Sequence, residues 1–420
     1  MTSPSSPKRN RRQSSVGSID FGTSPLSIQT TRSRSSIKHN KELEKELTKP
    51  LTSSSDSAIF HQLLLSLRVL GNRHVWPIFL FIMVITYAVY FLLGGDIPGN
   101  PLRKFLFIGH AVEVPLSSLK IGSLGEMAGD RVIRNGETFV ILYEKGKNDF
   151  AFVGFGIIFF TFLREFVMRE FLLPLAKHYG LHSKGKVTRF MEQTYACFYY
   201  GITGPLGLYI MYNSPLWFFK TSEFWRDYPH LLLPYWFKFF YLFQAGFWTQ
   251  QSIILMLQLE KPRKDFFELV LHHIITILLV SLSYMFNFTQ IGLGIYITMD
   301  VSDFFLGLSK TFNYINSPLE VPFFLFFVFI WFYTRHWLNW KMLWSVSYEY
   351  LNIGPYILDF NSEQYKCWIS LPMVWVLIAA LQLLNLYWFA LVIRILFRVV
   401  VYNVKKDERS DSEDDEEFEE

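Results

Sequence analysis

Eight apolar stretches, each about as long as a bilayer is thick when coiled into a helix, leave this chain few folds to choose from. A membrane helix needs roughly 20 predominantly apolar residues. Candidates fall at 76–93, 150–173, 191–212, 232–257, 266–286, 291–314, 321–345 and 368–399. Inside hydrocarbon every backbone N–H and C=O must be satisfied within the chain, so stretches of this kind predict helices. Composition agrees, with 51% hydrophobic, 18% aromatic and only 18% charged residues, against about 25% charged in an ordinary soluble domain. This excludes a disordered regulator, a secreted disulfide scaffold and a typical soluble enzyme. Cys197 and Cys367 are too few for a disulfide framework or a thiolate metal site. The expected fold class is an all-α polytopic membrane protein of about eight transmembrane helices.

The ends differ from this body. Residues 1–57 are rich in Ser, Thr, Pro, Lys and Arg without apolar periodicity, and read as a disordered basic tail. Within 58–93, an apolar face at 59–70 predicts an interfacial helix ahead of the first span. Ser14 and Ser15 follow stacked arginines, a pattern for a basophilic kinase. In the acidic tail 401–420, Ser410 and Ser412 each have a carboxylate three residues later, which suits an acidophilic kinase. Plain solvated tails are the alternative at both ends. Lysines and arginines cluster in the N-terminal tail, after the second span, after the fourth and after the eighth. The positive-inside rule then places both termini in the cytosol. The 94–149 segment becomes a luminal connection, in which 138–143 is β-rich and flanked by Gly, Asn and Asp, predicting a small hairpin domain. The sequon Asn287-Phe288-Thr289 sits too near the membrane lip to be glycosylated. No nucleic-acid partner is expected.

Charges inside spans are costly and usually functional. The fifth stretch carries His272 and His273, and the sixth carries Asp300 and Asp303. The aspartates share a helix face, whereas adjacent histidines point about 100° apart, so that one can face a reaction centre while the other braces it. Counted from the cytosolic ends, the histidines lie about 10 Å deep, Asp303 about 16 Å and Asp300 about 21 Å. A short connection makes these two spans antiparallel neighbours, so all four groups are expected to meet. Three readings fit them: hydrogen-bonded packing, a two-His/two-Asp metal site, and acid–base or nucleophilic acyl transfer. Four ionisable groups cost much for packing alone. Histidine-rich membrane oxygenases carry several histidine boxes, and here the other intramembrane histidine is His336. Acyl transfer is preferred, with an imidazole as base or acyl acceptor and a carboxylate fixing its tautomer. Around it, Arg164 and Glu165 can pair, Arg335-His336 can answer an aspartate, and Lys310, Thr311 and Asn313 can contact phosphates. Helix-to-helix polar contact is the plainer role for each.

The same residues carry a resemblance. Glu268-Leu269 with His272-His273, Ile295-Tyr296 with Met299-Asp300-Val301-Ser302-Asp303, and Ser309-Lys310-Thr311 with Asn313-Tyr314 resemble the signature of the TLC-domain superfamily, and of the ceramide synthases in particular. Gln258 to Asp265, Gln364 to Trp368 and the Lys406–Ser412 tail look like the fungal enzymes. The resemblance extends over roughly 58–412. It implies a catalytic membrane domain at 150–400, six or seven of whose helices form a barrel around a lipid chamber. It also implies N-acylation of a sphingoid long-chain base, dihydrosphingosine or phytosphingosine, by a long-chain or very-long-chain acyl-CoA in the endoplasmic reticulum membrane. The essential residues map onto His272, His273, Asp300 and Asp303. Acyl-CoA is a co-substrate, and no metal or permanently bound cofactor is implied. Implied partners are a small single-pass accessory subunit, membrane lipids, and a second copy or a paralogue in a dimer. The 94–149 segment is longer than the resemblance would give. A non-enzymatic transport factor of the superfamily and a metal-dependent lipid hydroxylase or hydrolase are the alternatives. An acyl chain of about 26 carbons is comparable in length with the hydrocarbon layer. Its methyl end is therefore expected near the connection 346–366, with Tyr348, Tyr350, Tyr356 and Phe360 as bulky stops.

Overall fold

The computed structural model describes residues 75–257 and 265–402. The basic tail, the expected interfacial helix, the basic turn at 260–264, and Ser14, Ser15, Ser410 and Ser412 lie outside the described residues. Each apolar stretch is a helix: α1 Trp76–Leu92, α2 Asn148–His178, α3 Lys184–Tyr212, α4 Tyr235–Met256, α5 Phe266–Met285, α6 Thr289–Tyr314, α7 Glu320–Asn352 and α8 Ser370–Tyr402. Of these, α2, α5, α6, α7 and α8 are long and apolar enough to cross a membrane, and α1 is apolar but shorter. α3 and α4 bury polar groups, Thr203 on α3 and Lys238, Gln244 and Gln250 on α4. The stretch at 191–212 misses the first turns of α3. There Lys184, Lys186 and Arg189 alternate with a buried face of Val187, Phe190 and Met191.

The α3–α6 contact is built on missing side chains. A Cβ on Gly207 would lie 2.9 Å from the Ile297 side chain, and one on Gly307 would lie 3.0 Å from the Gln193 carbonyl oxygen. Neither position has room for a methyl group, so glycine is what lets the two backbones approach. Two helices also widen into π turns, α2 at Val167–Leu172 and α7 at Phe332–Leu338. The second of these carries Arg335 and His336, both buried although adjacent. Local π geometry of this kind recurs at functional sites.

The membrane body is all-α, and the 94–149 connection adds a small sheet. Strands β1 Ala111–Pro115, β2 Asp130–Arg134 and β3 Glu137–Tyr143 pair antiparallel in the order β1-β3-β2. The expected hairpin is β2–β3. Its turn, Asn135-Gly136, has φ of 53° and 84°, the left-handed pair whose twist matches two antiparallel strands. The third strand, β1, was not expected.

A buried ion pair fastens this sheet to the helices. Lys238 Nζ lies 2.8 Å from Asp149 Oδ1 and donates to the carbonyls of Glu144 at 2.6 Å and Gly109 at 3.2 Å. Tyr284 on α5 donates to the other Asp149 oxygen at 2.8 Å. The extra bonds offset the desolvation of two buried charges, which an isolated pair would not. Asn287 is fully buried and donates to the Glu363 carbonyl at 3.2 Å, so its amide is not presented for glycan transfer.

Candidate active site

α5 places His272 and His273 in the interior, each 8% exposed, with ring centroids 5.7 Å apart and planes nearly perpendicular. Trp248 on α4 stands edge-on to both rings, 5.7 Å from each. Trp388 on α8 packs against His272 at 5.3 Å. His273 Nδ1 lies 2.8 Å from the Leu269 carbonyl. A carbonyl only accepts, so Nδ1 carries the hydrogen and Nε2 is the basic nitrogen of the neutral ring. The Leu269 carbonyl, on the same helix, thus holds the tautomer of His273. His272 Nδ1 has no partner among the described residues.

The four expected groups do not all meet. Asp303 on α6 joins the histidines on the wall of a polar cavity of about 240 Å³, together with Arg164, Asp265 and Arg335. Asp300, one turn earlier, is fully buried and lines neither this cavity nor the apolar one below. It accepts from Gln244 Nε2 at 2.5 Å, and Gln244 Oε1 accepts from the Tyr199 hydroxyl at 2.8 Å. Asp300 therefore ties α6 to α3 and α4.

Arg335 answers Asp303, Nη2 to Oδ1 at 2.5 Å. Its Nε donates to Ser302 Oγ at 2.6 Å and its Nη1 to Asn385 Oδ1 at 3.1 Å, while the guanidinium lies 4.1 Å from the centroid of the Trp331 ring. One side chain thus joins α6, α7 and α8 around the carboxylate. Arg164 pairs with Glu165 at 3.0 Å, with Arg164 on the cavity wall and Glu165 behind it. His336 is elsewhere, its Nδ1 2.9 Å from the Gln382 amide and its ring against Phe389. Lys310 and Asn313 line a separate cavity of about 70 Å³ where α6 ends and α7 begins, and Asn313 Nδ2 donates to Glu320 Oε1 at 2.6 Å.

A second, narrow cavity of about 50 Å³ is almost wholly apolar and runs between α4, α5, α6 and α8, past Thr276, Tyr296 and Phe288 to Met373. His272 and Trp248 line both cavities. Tyr348, Tyr350, Tyr356 and Phe360 line neither. Tyr350 is fully buried and its hydroxyl meets Ser370 Oγ at 2.7 Å, at the start of α8, whereas the other three are exposed. Beside Tyr350, the buried Lys366 donates to the Ile353 carbonyl, and burial lowers its pKa to about 8. Trp248 and Gln244 escaped the sequence reading, since one more aromatic or amide among so many carries no signal. Asp265 was in view as part of a resemblance motif, but its place on the cavity wall was not. Among the described residues, no three or more His, Cys, Asp or Glu side chains gather in a metal-binding group.

Helices of this length and apolarity around a histidine–carboxylate centre, with a polar cavity on one side and an apolar one on the other, define a polytopic membrane protein built to bring a polar and a lipid-like group together. The TLC domain matches residues 189–394, which hold every one of these groups except Arg164 and Glu165. Ceramide synthase LAG1 of Saccharomyces cerevisiae is 48% identical over 97% of this chain and 93% of its own length. Sphingosine N-acyltransferase lac1 of Schizosaccharomyces pombe is 50% identical over 65% of this chain and 71% of its own. Ceramide synthase 1 LOH3 of Arabidopsis thaliana is 32% identical over 64% and 93%. The chain belongs to the TLC-domain family.

Proposed function

We propose that this protein is a sphingosine N-acyltransferase, a ceramide synthase, that transfers a long-chain or very-long-chain acyl group from acyl-CoA to the amine of a sphingoid base. The observation that carries this reading is the position of His272, on the wall of both the polar and the apolar cavity. An acyl thioester has one apolar arm and one polar arm, and its carbonyl lies between them. A site for it needs a nucleophile or base where two such cavities join. His273, with Nε2 basic, takes the proton that the ammonium of the base must lose before it can attack. His272 lies nearer the acyl arm and is the acyl acceptor if transfer proceeds in two steps. Asp303, held by Arg335, supplies the negative charge that balances an imidazolium. Asp300 acts from behind by ordering α3, α4 and α6. A thioester is already activated, so these groups suffice for the transfer.

An endoplasmic reticulum membrane protein of eight spans, with both termini in the cytosol and the small sheet in the lumen, is the topology that the distribution of lysine and arginine favours. The helices from 150 to 400 form the barrel-like catalytic body, with 1–57 and 401–420 as tails. Lys310 and Asn313, near the cytosolic end of α6, are positioned for phosphates of CoA, and the sheet is the surface for a single-pass accessory subunit. A dimer with a second copy or a paralogue is compatible with it. The acyl-length region 346–366 acts through Tyr350, which holds the start of α8 and so the approach to Met373.

The test is purified protein with labelled acyl-CoA and dihydrosphingosine, with and without EDTA. Ceramide should form in both and vanish in His272→Ala and His273→Ala variants that express normally. Full activity in either variant would sink the site, activity lost to EDTA would favour a metal enzyme, and none in the unaltered protein would favour a transport factor.

A further inference from the structure

Besides the His272 ring, three residues that line the polar cavity carry a buried hydrogen-bond donor with no partner among the described residues: Tyr195 Oη, Trp248 Nε1 and Trp331 Nε1. Native proteins seldom leave such groups unmatched without a use for them. They are not equivalent. Trp331 is covered by the Arg335 guanidinium, and Tyr195 lines the polar cavity but not the apolar one. Trp248 stands against both imidazoles and lines both cavities, 6% exposed. An indole N–H only donates, and it neither titrates nor competes as a nucleophile.

Resting on the acyltransferase reading, the place where the two arms of the thioester diverge is also the place of its carbonyl oxygen. We propose that Trp248 Nε1–H is the oxyanion donor of this site. As the amine attacks, its lone pair forms the new N–C bond and its proton passes to an imidazole. The C=O π pair moves onto oxygen, and the indole N–H donates to that oxyanion. Collapse restores the carbonyl and breaks the C–S bond, and the departing thiolate takes the proton back from the imidazolium. If the acyl group passes first to His272, the same oxygen becomes anionic twice and meets the same donor. A preformed donor in a dry site acts on charge that develops in the transition state and not on the ground state, so it raises kcat and leaves binding nearly alone.

The experiment replaces Trp248 in the full chain, in lipid nanodiscs, by Phe and by benzothienylalanine, which keeps the bicyclic shape but carries sulfur in place of N–H. Steady-state ceramide formation should fall about 10²–10³-fold in kcat for both, the scale of one lost oxyanion donor. KM for acyl-CoA should stay within about threefold, and the thermal midpoint of the isosteric variant should match that of the unaltered protein. Wild-type kcat in the isosteric variant, or a loss confined to KM, would overturn the role. If Trp248→Phe does not fold, the isosteric variant decides alone. Absence of ceramide formation by the unaltered protein would instead refute the acyltransferase reading.

Discussion

Removing Arg335 should unfasten the site from inside. Arg335→Met keeps the length and the apolar stem and deletes the charge. The bonds to Ser302 and Asn385 are interhelical hydrogen bonds within the membrane body, worth about 0.6 kcal/mol each on average. The ion pair with Asp303 weighs more, because Arg335 is 3% exposed and its loss strands a mostly buried carboxylate. Breaking one half of a buried pair costs about 3–5 kcal/mol, so the charge term outweighs the neutral bonds severalfold. At about 1.4 kcal/mol per tenfold, the folded-to-unfolded ratio falls at least a hundredfold. The assay is denaturant unfolding in nanodiscs, run with Asp303→Asn and with the double variant. Removing both charges leaves nothing stranded, so the double variant should be more stable than the two single costs predict, by about 2 kcal/mol. Costs that add to within about 0.5 kcal/mol would refute the claim that Arg335 acts by holding Asp303.

Asp303→Asn should lower turnover per folded molecule about 10²-fold, on top of the stability lost by stranding Arg335, because the negative charge on the wall shared with the histidines is lost. Asp300→Asn, whose bond to Gln244 is structural, should lower stability more than specific activity, and the reverse order in purified protein would exchange their roles. Truncation at residue 50 and before Ser410 should leave a working core, with phosphorylation near Ser14 and Ser15 and at Ser410 and Ser412 tuning it. An inactive but well-folded core would make the tails part of the machine. Exchanging 346–366 with the segment of a medium-chain relative should shift the ceramide acyl length seen by lipid mass spectrometry. An active chimera with unchanged products would place the ruler in the walls around Tyr296 and Met373.

The set of helices and the address of the chemistry could be read from the order of residues alone. Apolar length is a local property that solvation by lipid enforces segment by segment, so all eight stretches are helical without reference to their neighbours. The cost of charge in hydrocarbon likewise marked His272, His273, Asp300, Asp303 and Arg335 before any contact was known. A small hairpin was legible from the β-rich 138–143 segment and its Gly, Asn and Asp flanks for the same reason, since strand and turn preferences are local. Direction came from the packing of distant segments. Helical spacing put Asp300 and Asp303 on one side of α6, but which cavity each meets depends on how α6 packs on α3 through Gly207 and Gly307. That packing sends Asp303 towards the histidines and Asp300 towards Gln244. Nor does spacing predict a π turn, and Arg335 and His336 go to different neighbours across one. The junction of the two cavities at His272 and Trp248 belongs to no single segment. It exists because α4, α5, α6 and α8 converge there, and convergence of distant segments leaves no periodic trace in the order of residues.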